Sequence, residues 1–466
     1  MNIKNITIKG LFGDRNYRIR LKDNRLVLVA ENGSGKTTIV NIIYYFLSGQ
    51  WTKLLKYDFK YVEVQFKDSK IKVSKNEIDI TTSERFDRLL KRYPERIKDT
   101  FINLINTIDI SEYSNSRVKL RRLSESYNLP SSLVYELINV AEKEQYDLFE
   151  STLIEKRKLL DNEISGQILY LPTYRRIEQD LRTILPDLDE ELGKYHQKRV
   201  RGIHRNKHIN ESYIELVEFG MEDVKYKIRE KLNSIENEFN DDLKNGVTGT
   251  YLKDILSENY KSIDYSNLRI FDQENFQGIL SRVKDTVLSK NEKQRLSEFV
   301  EKFAASKSIE RNENKIIAYF IYRLSQIYER LKEKEQDVIS FINICNDYSS
   351  NKVFLYDNIN FQISIHPKKR NGEIDLNKVV ELSDLSSGEK QIVSLFSHLY
   401  LSDIKDFIVI IDEPELSLSV PWQERFLVDI HNEKSCKGLI AVTHSPFIFD
   451  NSIEKYAQGL NIFEEL

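Results

Sequence analysis

The stretch AENGSGKTT, Ala30 to Thr38, follows five strand-forming residues, RLVLV, and leads straight into an apolar helix-forming run, TTIVNIIYYFL. Small glycines in a strand–loop–helix setting let backbone N–H groups wrap an anion at the helix N-terminus, where the partial positive charge of the helix favours it. That context is the one a nucleotide phosphate loop requires. Lys36 is placed to reach the β- and γ-phosphates, and the Thr37 hydroxyl to ligate Mg²⁺. Asn32, Gly33, Ser34, Gly35 and Thr38 complete the expected ATP-binding segment. Ala30 stands where the first glycine of the usual pattern would be, while Gly33 and Gly35 remain. A glycine-rich turn that binds no phosphate is the plain alternative.

A chain of 466 residues exceeds one ordinary compact domain, so a second lobe is expected. With 31% charged residues but only 16 Gly and 8 Pro, that lobe should be built from long helices rather than loops. A net charge of -3 excludes a protein basic enough overall to coat nucleic acid, so any DNA contact must be local. The two cysteines, Cys345 and Cys436, form neither a CxxC pair nor a metal-ligand spacing, which fits a reduced compartment. The opening MNIKNITIKGLFG has no long apolar stretch or small-residue cleavage site, and no apolar run reaches the ~18 residues of a membrane span. A cytoplasmic, membrane-free protein is expected.

Along the chain, NITIKG, YRIRL and RLVLVA read as strands, Thr37 to Leu47 as a helix, and Val62 to Phe66 with Lys70 to Val73 as further strands. From about Ser83 apolar residues return every three or four positions, as at Phe101, Leu104 and Ile108, which predicts a helical insertion. QILYLPT, Gln167 to Thr173, reads as a strand again. Two apolar stripes follow. Val217, Met221, Val224, Ile228, Leu232, Ile235 and Phe239 form one; Phe320, Leu324, Ile327, Leu331, Val338, Phe341 and Cys345 form the other, with Lys334 at one heptad position. They suit either an antiparallel coiled-coil hairpin or ordinary bundle packing. Two basic stretches, Arg117 to Arg122 and Lys194 to Lys207, read as solvated loops.

Three further segments carry chemistry. FIVIIDEPE, Phe407 to Glu415, is a fully apolar strand ending in carboxylates; Asp412 is placed to hold Mg²⁺ and Glu413 to deprotonate an attacking water. Two exposed turn carboxylates are the alternative. DLSSGEKQ, Asp384 to Gln391, leads into the apolar helix IVSLFSHLYL, so that a serine hydroxyl and helix N–H groups make a second anion site or simply a capped helix. AVTHSPFIF, Ala441 to Phe449, is another buried strand ending in His444.

In this order the segments resemble ATPase heads of the ABC class. Ser386, Ser387 and Gly388 match the LSGGQ-type signature, with Ser387 where glycine is commoner and Glu389 where glutamine is. The LSSGEKQ form resembles RecF, SMC and OLD-type heads more than transporter subunits. The resemblance implies an α/β fold, a split ABC-type P-loop head with a long helical, coiled-coil-like insertion. Its expected organisation is a head segment over 1–82, helical insertion 83–161, return to the head 162–185, helical insertion 186–350 and the rest of the head 351–466. It implies ATP and Mg²⁺ as cofactors, Lys36, Glu413 and His444 as catalytic residues, and Ser386 to Gly388 gripping the γ-phosphate held by a partner subunit. Glu415 to Ser419 corresponds to the loop that crosses the dimer interface. Gln167 is the candidate for the glutamine that couples Mg²⁺ to the helical lobe, with Gln65 as a rival.

YLPTYRRIE at Tyr170 to Glu178 and VEFGMEDV at Val217 to Val224 resemble stand-alone anti-phage ATPases of the AriA (PARIS) and PtuA (Septu and retron) kinds. That resemblance implies a homodimer through the heads, or a larger homo-oligomer, that controls a separate nuclease or toxin effector. With about 20 residues after His444, the nuclease domain of full OLD proteins is not expected, and any nuclease is expected on a separate protein. The alternative is a RecF- or SMC-like head that clamps DNA, for which the basic stretch near Lys198 speaks.

Overall fold

The computed structural model describes residues 2–31, 33–78, 120, 121, 123, 124, 134, 135, 138, 139, 153–173, 213–215, 221–245, 251–262, 273–285, 287–306 and 312–465. The insertion expected over 83–161 and the basic stretch Lys194 to Lys207 therefore fall largely or wholly outside them.

The principal elements begin with β1 (Ile3–Leu11), β2 (Arg15–Arg20), β3 (Arg25–Val29), the glycine loop and helix α1 (Lys36–Leu47). Next come β4 (Tyr61–Phe66), β5 (Lys70–Ser74), α2 (Ile154–Glu163), β6 (Gln167–Leu171) and β7 (Tyr213–Glu215). Helices α3 (Glu222–Lys244), α4 (Gln273–Arg282) and α5 (Asn312–Asp347) follow, then β8 (Lys352–Asp357), β9 (Gln362–Pro367) and α6 (Ser387–Leu401). The chain closes with β10 (Phe407–Asp412), α7 (Val420–Asn432), β11 (Cys436–Thr443), β12 (Ala457–Gly459) and β13 (Glu464–Glu465).

These elements fall into two compact units, Met1–Phe219 with Ile404–Leu466, and Gly220–Asp403. In the first unit six strands pair in parallel in the order β12-β3-β11-β10-β6-β7, and five pair antiparallel in the order β13-β2-β1-β4-β5. The sequence explains the division. YVEVQF in β4 alternates buried and half-exposed residues, as a strand covered on one face must, whereas FIVIID in β10 and QILYL in β6 are buried throughout, as central parallel strands are. One core joins both sheets through α1: Ile6, Ile8, Val62 and Val64 line one side, Leu26, Leu28, Ile410 and Val442 the other, and Ile39, Ile43 and Phe46 of α1 lie within the same cluster. Each such aliphatic side chain contributes about 1.5–3 kcal/mol when fully buried, so a charge at Ile410 would break the central strand.

The second unit is built on helices. Along α3 and α5 the ion pairs Lys231–Asp337 (3.1 Å), Glu238–Lys334 and Asp242–Arg330 (3.6 Å) climb one helix as they descend the other, so the two run antiparallel. Leu232, Ile235 and Phe239 of one stripe and Leu331, Val338 and Phe341 of the other are buried. Lys334, the lone polar heptad position, stays half-exposed and reaches Glu238 at the rim. Val217, the first residue of the upstream stripe, lies outside the described residues. Between α4, α5 and β8 sits a fully buried ion pair, Arg282 Nη1 to Glu335 Oε2 at 3.0 Å, whose second carboxylate oxygen accepts from Tyr356 OH at 2.6 Å.

Both cysteines are buried and free; burial pushes the Cys436 thiol up to about 12 and raises that of Cys345 as well, so neither is a reactive thiolate. Among the described residues no helix is long and apolar enough to cross a membrane.

Candidate functional site

The parallel register decides where chemistry can occur. Val29 pairs with Thr443, Asp412 with Val442, and Ile411 with Leu171, so β3, β11, β10 and β6 end along one edge. Ligands of open α/β sheets bind outside that edge. The glycine loop leaves β3 there, Glu413 follows β10, His444 follows β11 and Thr173 follows β6. Backbone bonds tie the strand ends: Ala30 N donates to Thr443 O at 3.4 Å and Glu413 N to Val442 O at 2.8 Å.

Gly33 (φ 80°) and Gly35 (φ 89°) adopt left-handed conformations. A Cβ on Gly33 would point into open space, but one on Gly35 would stand 2.9 Å from the ring of Phe12, a half-exposed residue of the β1–β2 turn. Gly35 is also the N-cap residue of α1, so the free N–H groups of that helix begin at the loop. Lys36 is buried and folds back to donate to Ala30 O at 2.6 Å, inside the loop it belongs to. Thr37 is exposed at the first turn, with Thr38 beside it in sequence. Ser34 Oγ is buried with no hydrogen-bond partner among the described residues. Asn32, expected in the same segment, lies outside the described residues.

Asp412 is completely buried. Burial raises its pKa above the usual carboxylate range, while the hydroxyls of Thr173 and the neighbouring Thr37 pull it back. Oδ2 accepts from Thr173 Oγ1, whereas Oδ1 has no partner among the described residues. A buried carboxylate oxygen left open beside a threonine hydroxyl at a phosphate loop fits one divalent cation completed by phosphate oxygens and water. Among the described residues no group of three or more His, Cys, Asp or Glu side chains exists to hold a metal by protein ligands alone. Glu413 follows at φ 51°, strained for a non-glycine residue and held there by its backbone bond to β11.

His444 is partly exposed, and its Nδ1 lies 2.8 Å from Oε1 of Glu415. Glu415, the first residue of the segment Glu415 to Ser419, is buried and turns its carboxylate toward His444.

The second anion segment belongs to the other compact unit. Ser386 caps α6 in a reciprocal capping box: its Oγ accepts from Glu389 N at 3.4 Å, and Glu389 Oε2 accepts from Ser386 N at 2.8 Å. Lys352 Nζ donates to both Glu389 oxygens, at 2.9 and 2.8 Å. Burial alone would raise the Glu389 pKa, but Lys352 and Ser386 together hold it below its ordinary value. Ser386 and Ser387 are exposed and Gly388 is buried, so the helix start is open to solvent.

The structure places Gln167 away from Asp412, against the expectation that it couples Mg²⁺ to the helical lobe. It is the first residue of β6 and pairs with Phe407, at the amino end of the sheet, about 16 Å of strand from the edge carrying Asp412. Gln65, its rival, lies on β4 of the antiparallel sheet and accepts from Asn5 Nδ2 at 3.1 Å. Thr173, at the carboxyl end of the same strand, holds the position beside Asp412 instead. The sequence carried a signal for it, a hydroxyl residue just past the buried run QILYL, but only strand pairing says which end of that run faces the loop.

Comparison with known proteins supplies the family. The sequence profile described as AAA ATPase domain matches residues 1–449. The chain belongs to that ATPase family. Membership implies nucleotide binding. Among curated proteins none matches the sequence. The solved structures that this chain is similar to include two Smc heads. One is the Smc head domain with an extended coiled coil bound to the C-terminal domain of ScpA from Pyrococcus furiosus, at 14% identity and TM-score 0.30, covering 97% of this chain and 91% of that one. The other is an Smc head bound to the C-winged helix domain of ScpA, at 11% identity and TM-score 0.30, covering 98% and 94%. A TM-score of 0.30 is too low to support a fold or partner assignment.

Proposed function

We propose that this ATPase binds ATP with Mg²⁺ at the edge formed by β3, β10 and β6, hydrolyses it there, and closes head to head with a second copy to do so. The observation that carries the reading is the open, buried Asp412 oxygen flanked by Thr37 and Thr173, next to a loop with two left-handed glycines. Gly33, Gly35 and the first turn of α1 offer N–H groups to the phosphates, and Lys36 exchanges Ala30 O for a phosphate oxygen. Thr37 and Asp412 would hold Mg²⁺, which when bound supplies positive charge to the phosphate oxygens. Glu413, one residue beyond Asp412, orients a water and takes its proton. His444 meets the terminal phosphate. Ser386, Ser387 and Gly388 at the open start of α6 supply the anion site of the opposite protomer.

The composite site makes a mixing test possible. Lys36→Ala and Gly388→Asp are each inactive alone, but in a mixed dimer one site pairs an intact glycine loop with an intact serine segment, so hydrolysis returns on mixing. No recovery, with mixed dimers formed, would remove the head-to-head reading.

The motifs at Tyr170 to Glu178 and Val217 to Val224 support a finer proposal, that the nucleotide state of the dimer holds or releases a separate nuclease or toxin in defence against phage. The basic stretch Lys194 to Lys207 favours a second reading, an ATP-closed clamp on DNA. Duplex binding across a salt series separates them: a steep ATP-dependent slope supports the clamp, and its absence supports the effector scaffold.

A further inference from the structure

The turn after β10 and the end of β11 are joined through one buried carboxylate. Glu415 Oε2 accepts from Thr443 Oγ1 at 2.8 Å, while Oε1 accepts from the His444 backbone N–H at 3.0 Å and faces His444 Nδ1 at 2.8 Å. Thr443 Oγ1 in turn accepts from Ser445 N at 3.0 Å. Ser445 Oγ donates to Gln423 Oε1 at 2.8 Å, and Gln423 Nε2 returns to Leu418 O at 2.9 Å. The Glu415 side chain is 6% exposed and that of His444 44%, so the contact is sheltered on the carboxylate side and open on the imidazole side.

We propose that Glu415 is a positioning residue that sets the orientation and tautomer of His444 for the nucleotide's terminal phosphate, an inference that rests on the ATPase reading above. An ionised carboxylate only accepts hydrogen bonds, so the Nδ1 facing it carries the proton, and Nε2 is the nitrogen left for the ligand. Free rotation of the ring would present either nitrogen. The second bond, from the His444 backbone to the same Oε1, fixes the strand end relative to the carboxylate, so ring and backbone are held by one oxygen. Because Glu415 lies three residues past Asp412 on the same turn, the γ-phosphate contact and the Asp412 site are held at a fixed spacing. A carboxylate that merely latched two strand ends would need the Thr443 and backbone bonds but not the imidazole.

The test uses the full chain with four variants: Glu415→Gln, Glu415→Ala, His444→Ala and the Glu415→Ala/His444→Ala double. Loss of one charged hydrogen bond predicts a kcat for Glu415→Ala lower by about 10- to 100-fold. Affinity for a non-hydrolysable ATP analogue should change by less than about threefold, since uniform binding is untouched. Glu415→Gln should recover much of the loss, because its carbonyl oxygen still accepts from Nδ1–H, and it keeps the test intact if the alanine variant does not fold. The double variant should be no slower than His444→Ala, because Glu415 acts through the ring. Losses that multiply in the double variant overturn the proposal and leave the ATPase reading standing; wild-type turnover by His444→Ala overturns both His444's role and the proposal. Imidazole ¹⁵N spectra give a readout independent of turnover, with the His444 signal identified by its absence from His444→Ala. Nδ1 should carry a proton in the wild type and lose that preference in Glu415→Ala, and a wild-type ring protonated only at Nε2 overturns the proposal.

Discussion

Thr173, two residues past the end of β6, donates its hydroxyl hydrogen to Oδ2 of Asp412 at the end of β10. The bond orients a buried carboxylate so that its other oxygen stays open. Thr173→Val keeps the shape and removes the donor, leaving both oxygens unpaired at a cost of about 1–3 kcal/mol. The expected result is a several-fold higher Mg²⁺ concentration for half-maximal ATP hydrolysis, measured by Mg²⁺ titration at saturating ATP. An unchanged Mg²⁺ dependence would mean that Asp412 does not face the cation.

Lys36 and Glu413 should separate binding from turnover. Lys36→Ala removes the ammonium that the loop encloses through Ala30 O, so nucleotide binding measured by calorimetry should disappear. Glu413→Gln keeps the size of the side chain but cannot take a proton, so ATP should still bind, hydrolysis should fall by about 100-fold or more, and the closed dimer should accumulate in sedimentation. A Glu413→Gln variant that hydrolyses ATP as fast as the wild type would show that another group is the base.

The buried Arg282–Glu335 pair, each side chain 3% exposed, is expected to dominate the stability of the helical unit. Glu335→Ala strands the Arg282 guanidinium and the Tyr356 hydroxyl together, which should cost about 3–5 kcal/mol in urea unfolding. Replacing both charges, as in Arg282→Met with Glu335→Leu, should cost clearly less, because no unpaired charge remains. Equal losses would show that packing rather than the stranded charge sets the penalty.

His398 on α6 gives a pH signature. Burial first, and then the nearby Lys227 charge, lower its pKa from 6.5 to about 3. Between those two values the unfolded chain carries a proton at this position that the folded chain does not. Stability is therefore complete above pH 6.5 and falls as the pH drops through that window, by up to about 1.4 kcal/mol per pH unit. Denaturation curves at pH 7.5 and 5.5 should converge for His398→Gln relative to the wild type. A wild type with no steeper acid slope than the variant would show that the folded ring takes up the proton.

Much of this protein is written locally. The alternation in YVEVQF, the unbroken apolar run of FIVIID and the glycine loop between RLVLV and α1 fix strand type and the loop's left-handed glycines, because side-chain period and backbone φ are properties of a few consecutive residues. The stripes of α3 and α5 likewise announce two helices with apolar faces. Their antiparallel register emerges only from pairs such as Lys231 with Asp337, since two stripes alone suit either a hairpin or a bundle.

What the sequence by itself determined is the ATPase family and the segments proposed to carry its chemistry, those of Lys36, Thr37, Asp412 and Glu413. What only the tertiary structure decided is which distant residues share the edge of the sheet. Parallel pairing set Thr173 rather than Gln167 beside Asp412, and turned Glu415 inward onto His444. Those outcomes depend on strand order and direction, which arise from contacts between residues apart in sequence, 239 positions for Thr173 and Asp412 and 29 for Glu415 and His444, and leave no periodic trace along the chain.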